Sequence, residues 1–84
     1  VKPVRLTSHA RLQCAERGPS EAEVEQAVRE GLREPARHGR TLCRFNFPFR
    51  STWQDTPYAV KQVAPVIREE ADEIVVITVY VFYF

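Results

Sequence analysis

Hydrophobic and polar positions along this chain follow two different periods, and the change falls near Pro35. Upstream the spacing is helical. Val24, Ala27, Val28 and Gly31 recur at i, i+3, i+4 and i+7, one face of a helix. Ser20-Glu21-Ala22-Glu23 opens that helix as a capping box: the serine hydroxyl takes a free first-turn amide, and the glutamate reaches back. Glu25 and Arg29 make an i,i+4 pair on the wet face, and the early glutamates suit the positive end of the helix dipole. A first helix is predicted over Ser8 to Arg17, with Ser8 as its N-cap, Gly18 as a left-handed stop and Pro19 behind it. Its apolar face is blurred, but His9, Gln13 and Glu16 share one polar stripe.

Downstream the period is two. Cys43, Phe45, Phe47 and Phe49 alternate with Arg44, Asn46 and Pro48, which predicts a half-buried strand with an aromatic inner face. Pro48 points to an edge or a strand end. Residues 50–57 read as a loop. Tyr58 to Arg68 resumes as a strand, with Pro65 at a bulge or edge, and Ile74 to Phe84 is apolar on both faces, as a central strand would be. Val4 to Thr7 is a fourth short strand or an extended arm. The fold class is therefore α+β: two N-terminal helices on one face of a three- to four-stranded antiparallel sheet, forming a single domain over residues 1–84.

Eighty-four residues leave no room for a large cofactor-binding enzyme, and the pattern calls for no cofactor. The longest apolar run is far shorter than the ~20 residues of a spanning helix, so no membrane partner is expected. Val1-Lys2-Pro3-Val4-Arg5 lacks the apolar stretch of a signal peptide. Cys14 and Cys43 read as small buried hydrophobes of a cytoplasmic protein rather than a disulfide pair. With His9 and His38 they have no metal-ligand spacing, so no metal is expected. The net charge of +1 hides a separation: residues 1–19 carry +3, 20–36 carry −3, 37–68 carry +5 and 69–84 carry −4. A basic middle suits an anionic partner such as RNA.

Strand parity gathers the candidate chemistry. Val75, Ile77, Val79, Val81 and Tyr83 share one face of the last strand, assigned to the helices, and Thr78 and Tyr80 lie on the other. Arg44, Asn46, Lys61, Thr78 and Tyr80 are expected to meet there on one open sheet surface. Metal-independent RNA cleavage needs a base, a proton donor and cations, which histidine, tyrosine, lysine and arginine supply. His9, near a helix start, is the histidine best placed to serve as the base, whereas His38 reads as an exposed turn residue.

Thr7-Ser8-His9-Ala10-Arg11, Glu16-Arg17-Gly18, Tyr58-Ala59-Val60-Lys61-Gln62-Val63-Ala64-Pro65 and Ile77-Thr78-Val79-Tyr80, in this order, resemble the family called domain of unknown function 4258. That family is similar to the RelE-like toxins of the barnase–EndoU–colicin–RelE group. The resemblance implies a helical pair on a curved antiparallel sheet and a metal-independent endoribonuclease of toxin–antitoxin type, with a cognate antitoxin as partner. It carries over His9, Arg17, Lys61, Thr78 and Tyr80. The working set is then His9, Lys61 and Tyr80 as catalytic groups, with Arg17, Arg44, Asn46 and Thr78 on the RNA. Two other classes remain open. One is a non-catalytic RNA-binding module. The other is a protein-interaction domain whose aromatic Phe82-Tyr83-Phe84 stretch pairs in a homodimer or with a partner chain.

Overall fold

The computed structural model describes residues 1–84 as an α+β fold. A short strand β1 (Val4–Leu6) leads into helices α1 (Ser8–Arg17) and α2 (Glu21–Glu30). Strand β2 (Leu32–Pro35), one 3-10 turn (Arg37–Gly39), and strands β3 (Thr41–Trp53), β4 (Thr56–Glu69) and β5 (Ile74–Tyr83) follow. The sheet order is β1-β5-β4-β3-β2, with β1 parallel to β5 and every other pair antiparallel. There are thus five strands rather than three or four. The addition is β2, four exposed residues with no alternating pattern for a sequence argument to use. No helix is long and apolar enough to cross a membrane.

The helices end where their local chemistry dictates. Thr7, one residue before the expected Ser8, caps α1 by accepting from the Ala10 amide. Gly18 closes α1 at φ 94°, and both halves of the Ser20–Glu23 capping box form. Val24, Ala27 and Val28 are buried as one stripe. α1 lies over β5 and β1, and α2 over β4 and β3. Between helices and sheet sits a core of Leu6, Ala10, Cys14, Val24, Ala27, Val28, Cys43, Val63, Ile67, Ile74, Val76 and Val79, with Phe45 and Phe47 packed against it. Each fully buried valine contributes about 1.5–3 kcal/mol relative to exposure.

Two irregularities in the sheet decide which side chains face where. The β4–β5 register shifts between Val66, opposite Thr78, and Ile67, opposite Val76. Ile77 is the extra residue of this bulge, so parity inverts across it. Ile74 and Val76 face the helices before the bulge, and Val79 and Val81 after it. Val75 and Ile77 were expected to share that face with Val79, and the bulge separates them. The second irregularity is at the hairpin tip. Residues 50–57 were expected as a loop, but β3 and β4 run on to a two-residue turn, Gln54-Asp55, with φ of 49° and 68°. Consecutive left-handed residues match the twist of a tight hairpin, and asparagine, aspartate or glycine usually signal it. Pro48 lies beyond the stretch of β3 that β2 covers, at the sheet edge as expected. Pro65 sits in a central strand, within a gap of the β3–β4 ladder between the Leu42–Val66 and Phe45–Val63 pairs and next to the bulge.

Candidate functional site

The face of the sheet away from the helices collects most of the expected residues. Asn46 pairs with Gln62, Gln62 with Phe82, Ala64 with Tyr80 and Val66 with Thr78, so these side chains stand on one surface. Arg44 joins them by donating to Gln62 Oε1 at 3.0 Å, and Gln62 passes a bond to Asn46 Oδ1 at 2.8 Å. The Arg44 guanidinium also meets Glu34 through two contacts of 3.3 Å. That carboxylate partly neutralises it.

Lys61 does not belong to this surface. It pairs with Phe47 across β3 and β4, so it shares the inner, aromatic face. Its ammonium is buried against the helices, donating to Glu23 Oε1 at 2.8 Å and to the Gly18 carbonyl at 2.9 Å. One bond ties the sheet to the α2 capping box and the other satisfies the turn between the helices. Burial pushes the Glu23 carboxyl up, but the bonds from Lys61 and Ser20 outweigh it and hold Glu23 below its ordinary value. His9 lies in the exposed first turn of α1 and makes no side-chain hydrogen bond. Gln13, expected on the polar stripe of the first helix, is buried. Its Oε1 accepts from the Thr78 hydroxyl at 2.6 Å and the Val79 amide at 2.7 Å, which seals the β5 edge with a helix side chain.

Arg17 seals the same edge by donating to the Val79 carbonyl at 2.7 Å. From there its guanidinium lies 5.7 Å from the centroid of the Tyr80 ring. Tyr80 and Thr78 form one wall of an open cleft of about 600 Å³, floored by Leu42 and Val66. The opposite wall is the 3-10 turn, which contributes Arg37, His38 and Arg40. Bonds from the Ala36 amide to the Arg40 carbonyl and from the Arg40 amide to the Arg37 carbonyl fix that turn. His38 holds φ 60° and ψ 35°, a left-handed conformation that costs a side-chain-bearing residue roughly 1–2 kcal/mol. Strained positions of this kind cluster at working sites.

Charge accounting sharpens the cleft. Of twelve lysines and arginines, eight are in ion pairs, Lys61 and Arg44 among them. The four without a carboxylate partner are Arg17, Arg37, Arg40 and Arg50. Three of these four border the cleft: two line it, and Arg17 lies against Tyr80. Unpaired cations with an imidazole, a phenol and a hydroxyl can hold a phosphate group and move protons beside it. No group of histidine, cysteine and carboxylate side chains is arranged to hold a metal ion.

The structure brings Arg44, Asn46, Thr78 and Tyr80 onto one surface, as strand parity indicates, and sets Arg17 against Tyr80, whereas the turn residues Arg37, His38 and Arg40 that face them were not among the expected site residues. The available signal was the cluster of Arg37, His38 and Arg40 about Gly39, but only the sheet shows what the turn faces. No family model, curated protein or solved structure matches the chain.

Proposed function

We propose that this chain is a metal-independent endoribonuclease that cleaves RNA in the cytoplasm by acid–base catalysis in the cleft. The observation that carries this reading is the concentration of unpaired arginines around His38 and Tyr80 in a cleft open to a polymer. Cleavage needs a base to take the 2′-hydroxyl proton. The 2′-oxygen then attacks the adjacent phosphorus, the bond to the 5′-oxygen breaks, and that oxygen takes a proton as it leaves. The products are a 2′,3′-cyclic phosphate and a 5′-hydroxyl. His38 is assigned the base and Tyr80 the proton donor. Arg37 and Arg40 stabilise the charge that builds on the phosphorane oxygens. Arg17 positions Tyr80, and Thr78 and Arg44 border the RNA path. His9 and Lys61 have no part in this scheme: one is outside the cleft and the other is buried at the helix junction. The toxin–antitoxin part of the proposal rests on the resemblance to domain of unknown function 4258, and it adds a protein antitoxin as partner.

The test is cleavage of a 5′-labelled single-stranded RNA by the purified chain in excess chelator, with product ends identified. His38→Ala should lower the rate by roughly 10²- to 10⁴-fold, the usual contribution of a positioned acid or base. His9→Ala should leave it unchanged. Equal rates for His38→Ala and the parent would overturn the assignment. Binding that weakens with salt, without cleavage, would leave the non-catalytic RNA module in its place.

A further inference from the structure

From Tyr80 in the cleft an aromatic row runs on along the end of β5 to Phe82 and, just past the strand, Phe84, two rings that neither the core nor the proposed chemistry uses. Tyr80, Phe82 and Phe84 stand at alternate positions on the open face and are 45, 45 and 56% exposed. Phe82 is held from one side by Arg44, whose guanidinium lies 5.7 Å from the ring centroid. We infer that Phe82 and Phe84 are stacking platforms for two successive bases of a single-stranded RNA whose phosphate enters the cleft beside Tyr80.

This rests on the ribonuclease reading of the cleft and names the substrate that reading leaves open. Alternate residues of a strand are about 6.5–7 Å apart. That is roughly twice the 3.4 Å rise per nucleotide of a duplex strand, so the rings suit bases drawn apart and stacked singly. Sheet aromatics receive unstacked bases in this way, whereas a duplex keeps its base faces covered. The charge is complementary, since the row starts at the one cluster of unpaired arginines, Arg17, Arg37 and Arg40, and carries no acid itself. From Tyr80 to Phe84 the strand spans about 13 Å, room for two extended nucleotides beyond the phosphate in the cleft.

The experiment compares the full chain with Phe82→Leu, Phe84→Leu, Phe82→Tyr and the double variant Arg37→Ala/Arg40→Ala. The probes are a labelled twelve-nucleotide single-stranded RNA, its duplex, and a dinucleotide substrate. Anisotropy is read across a salt series, cleavage as KM and kcat, and mass by sedimentation. Each leucine variant should weaken single-strand binding by roughly ten-fold at an unchanged salt slope. Phe82→Tyr should restore it, and the double arginine variant should flatten the slope. Both leucine variants should raise KM for the long substrate and leave the dinucleotide unaffected. Equal binding of duplex and single strand, or leucine variants that bind like the parent, would overturn the platforms while the cleft reading stands. No RNA binding by the parent would overturn both. A leucine variant that changes mass but not RNA affinity would assign the row to a second copy of the chain instead.

Discussion

Replacing Lys61 with methionine keeps most of an unbranched stem and removes the ammonium. Two hydrogen bonds go with it, to Glu23 Oε1 and to the Gly18 carbonyl, together with the contact 5.7 Å from the Phe49 ring centroid. Removing one partner of a buried ion pair typically costs 3–5 kcal/mol, because the other charge is left unpaired. The Glu23 side chain is 28% exposed and keeps its bond from the Ser20 amide, so water and that amide recover part of the loss. A cost of about 2–3 kcal/mol is expected. For a domain of this size it corresponds to a fall in Tm of roughly 10–20 °C. Urea unfolding followed by Trp53 fluorescence and far-ultraviolet dichroism reads it directly. Adding Glu23→Gln to Lys61→Met should return part of the stability, because the stranded carboxylate is gone and the amide can still reach Ser20. A Lys61→Met protein as stable as the parent would refute the reasoning. If that protein also lost RNA cleavage, the lysine would regain the catalytic role its sequence context gave it.

Glu23→Gln alone should flatten the acid side of the stability–pH profile. The folded carboxyl titrates below its unfolded value, so its contribution is fully present above the ordinary carboxylate range and is lost as pH falls through the folded value. Gly18→Ala should destabilise by about 2 kcal/mol or more in urea: the residue sits at φ 94°, and a Cβ there would meet Trp53 and the Tyr83 hydroxyl at 2.8 Å. His38→Gly should slow cleavage as much as His38→Ala does yet raise the urea midpoint, with a gain of roughly 0.5–1 kcal/mol from relief of the left-handed backbone; a lowered midpoint would argue against strain at this residue. Burial pushes both the Cys14 and Cys43 thiols up, so iodoacetamide should modify them at the rate of chain opening, and immediate labelling of native protein would contradict the packing.

Local signals were legible where the answer is local. The capping box, the Val24-Ala27-Val28 stripe and the Gly18 stop concern residues a few positions apart, and each appears in the structure as the sequence indicates. The inner face of β3 was equally readable, because three phenylalanines at period two leave little choice. Quantities set between strands were not. Lys61 has the same alternation whichever way β4 is slid, and only its pairing with Phe47 turns it towards the helices. The β5 bulge is invisible in a run where every residue suits a strand. The cleft wall was hidden for a related reason: nothing in Arg37-His38-Gly39-Arg40 says that it faces Tyr80 from across the sheet.

The helix-to-edge bonds that Gln13 makes with Thr78 and Val79 join positions 65 and 66 apart, and β1 closes on β5 over a similar span. Time during synthesis follows from that distance. A ribosome adding about 5–20 residues per second needs roughly three to thirteen seconds to go from the end of α1 to the end of β5. Through that interval α1 is a ten-residue helix with no strand to lie on, too short to persist alone in water. Thr78 and Tyr80, one wall of the cleft, are then still unmade. A growing chain therefore has neither a finished helix layer nor a finished site, and a product cut short before β5 would be an unfolded polypeptide rather than a weaker form of the same protein.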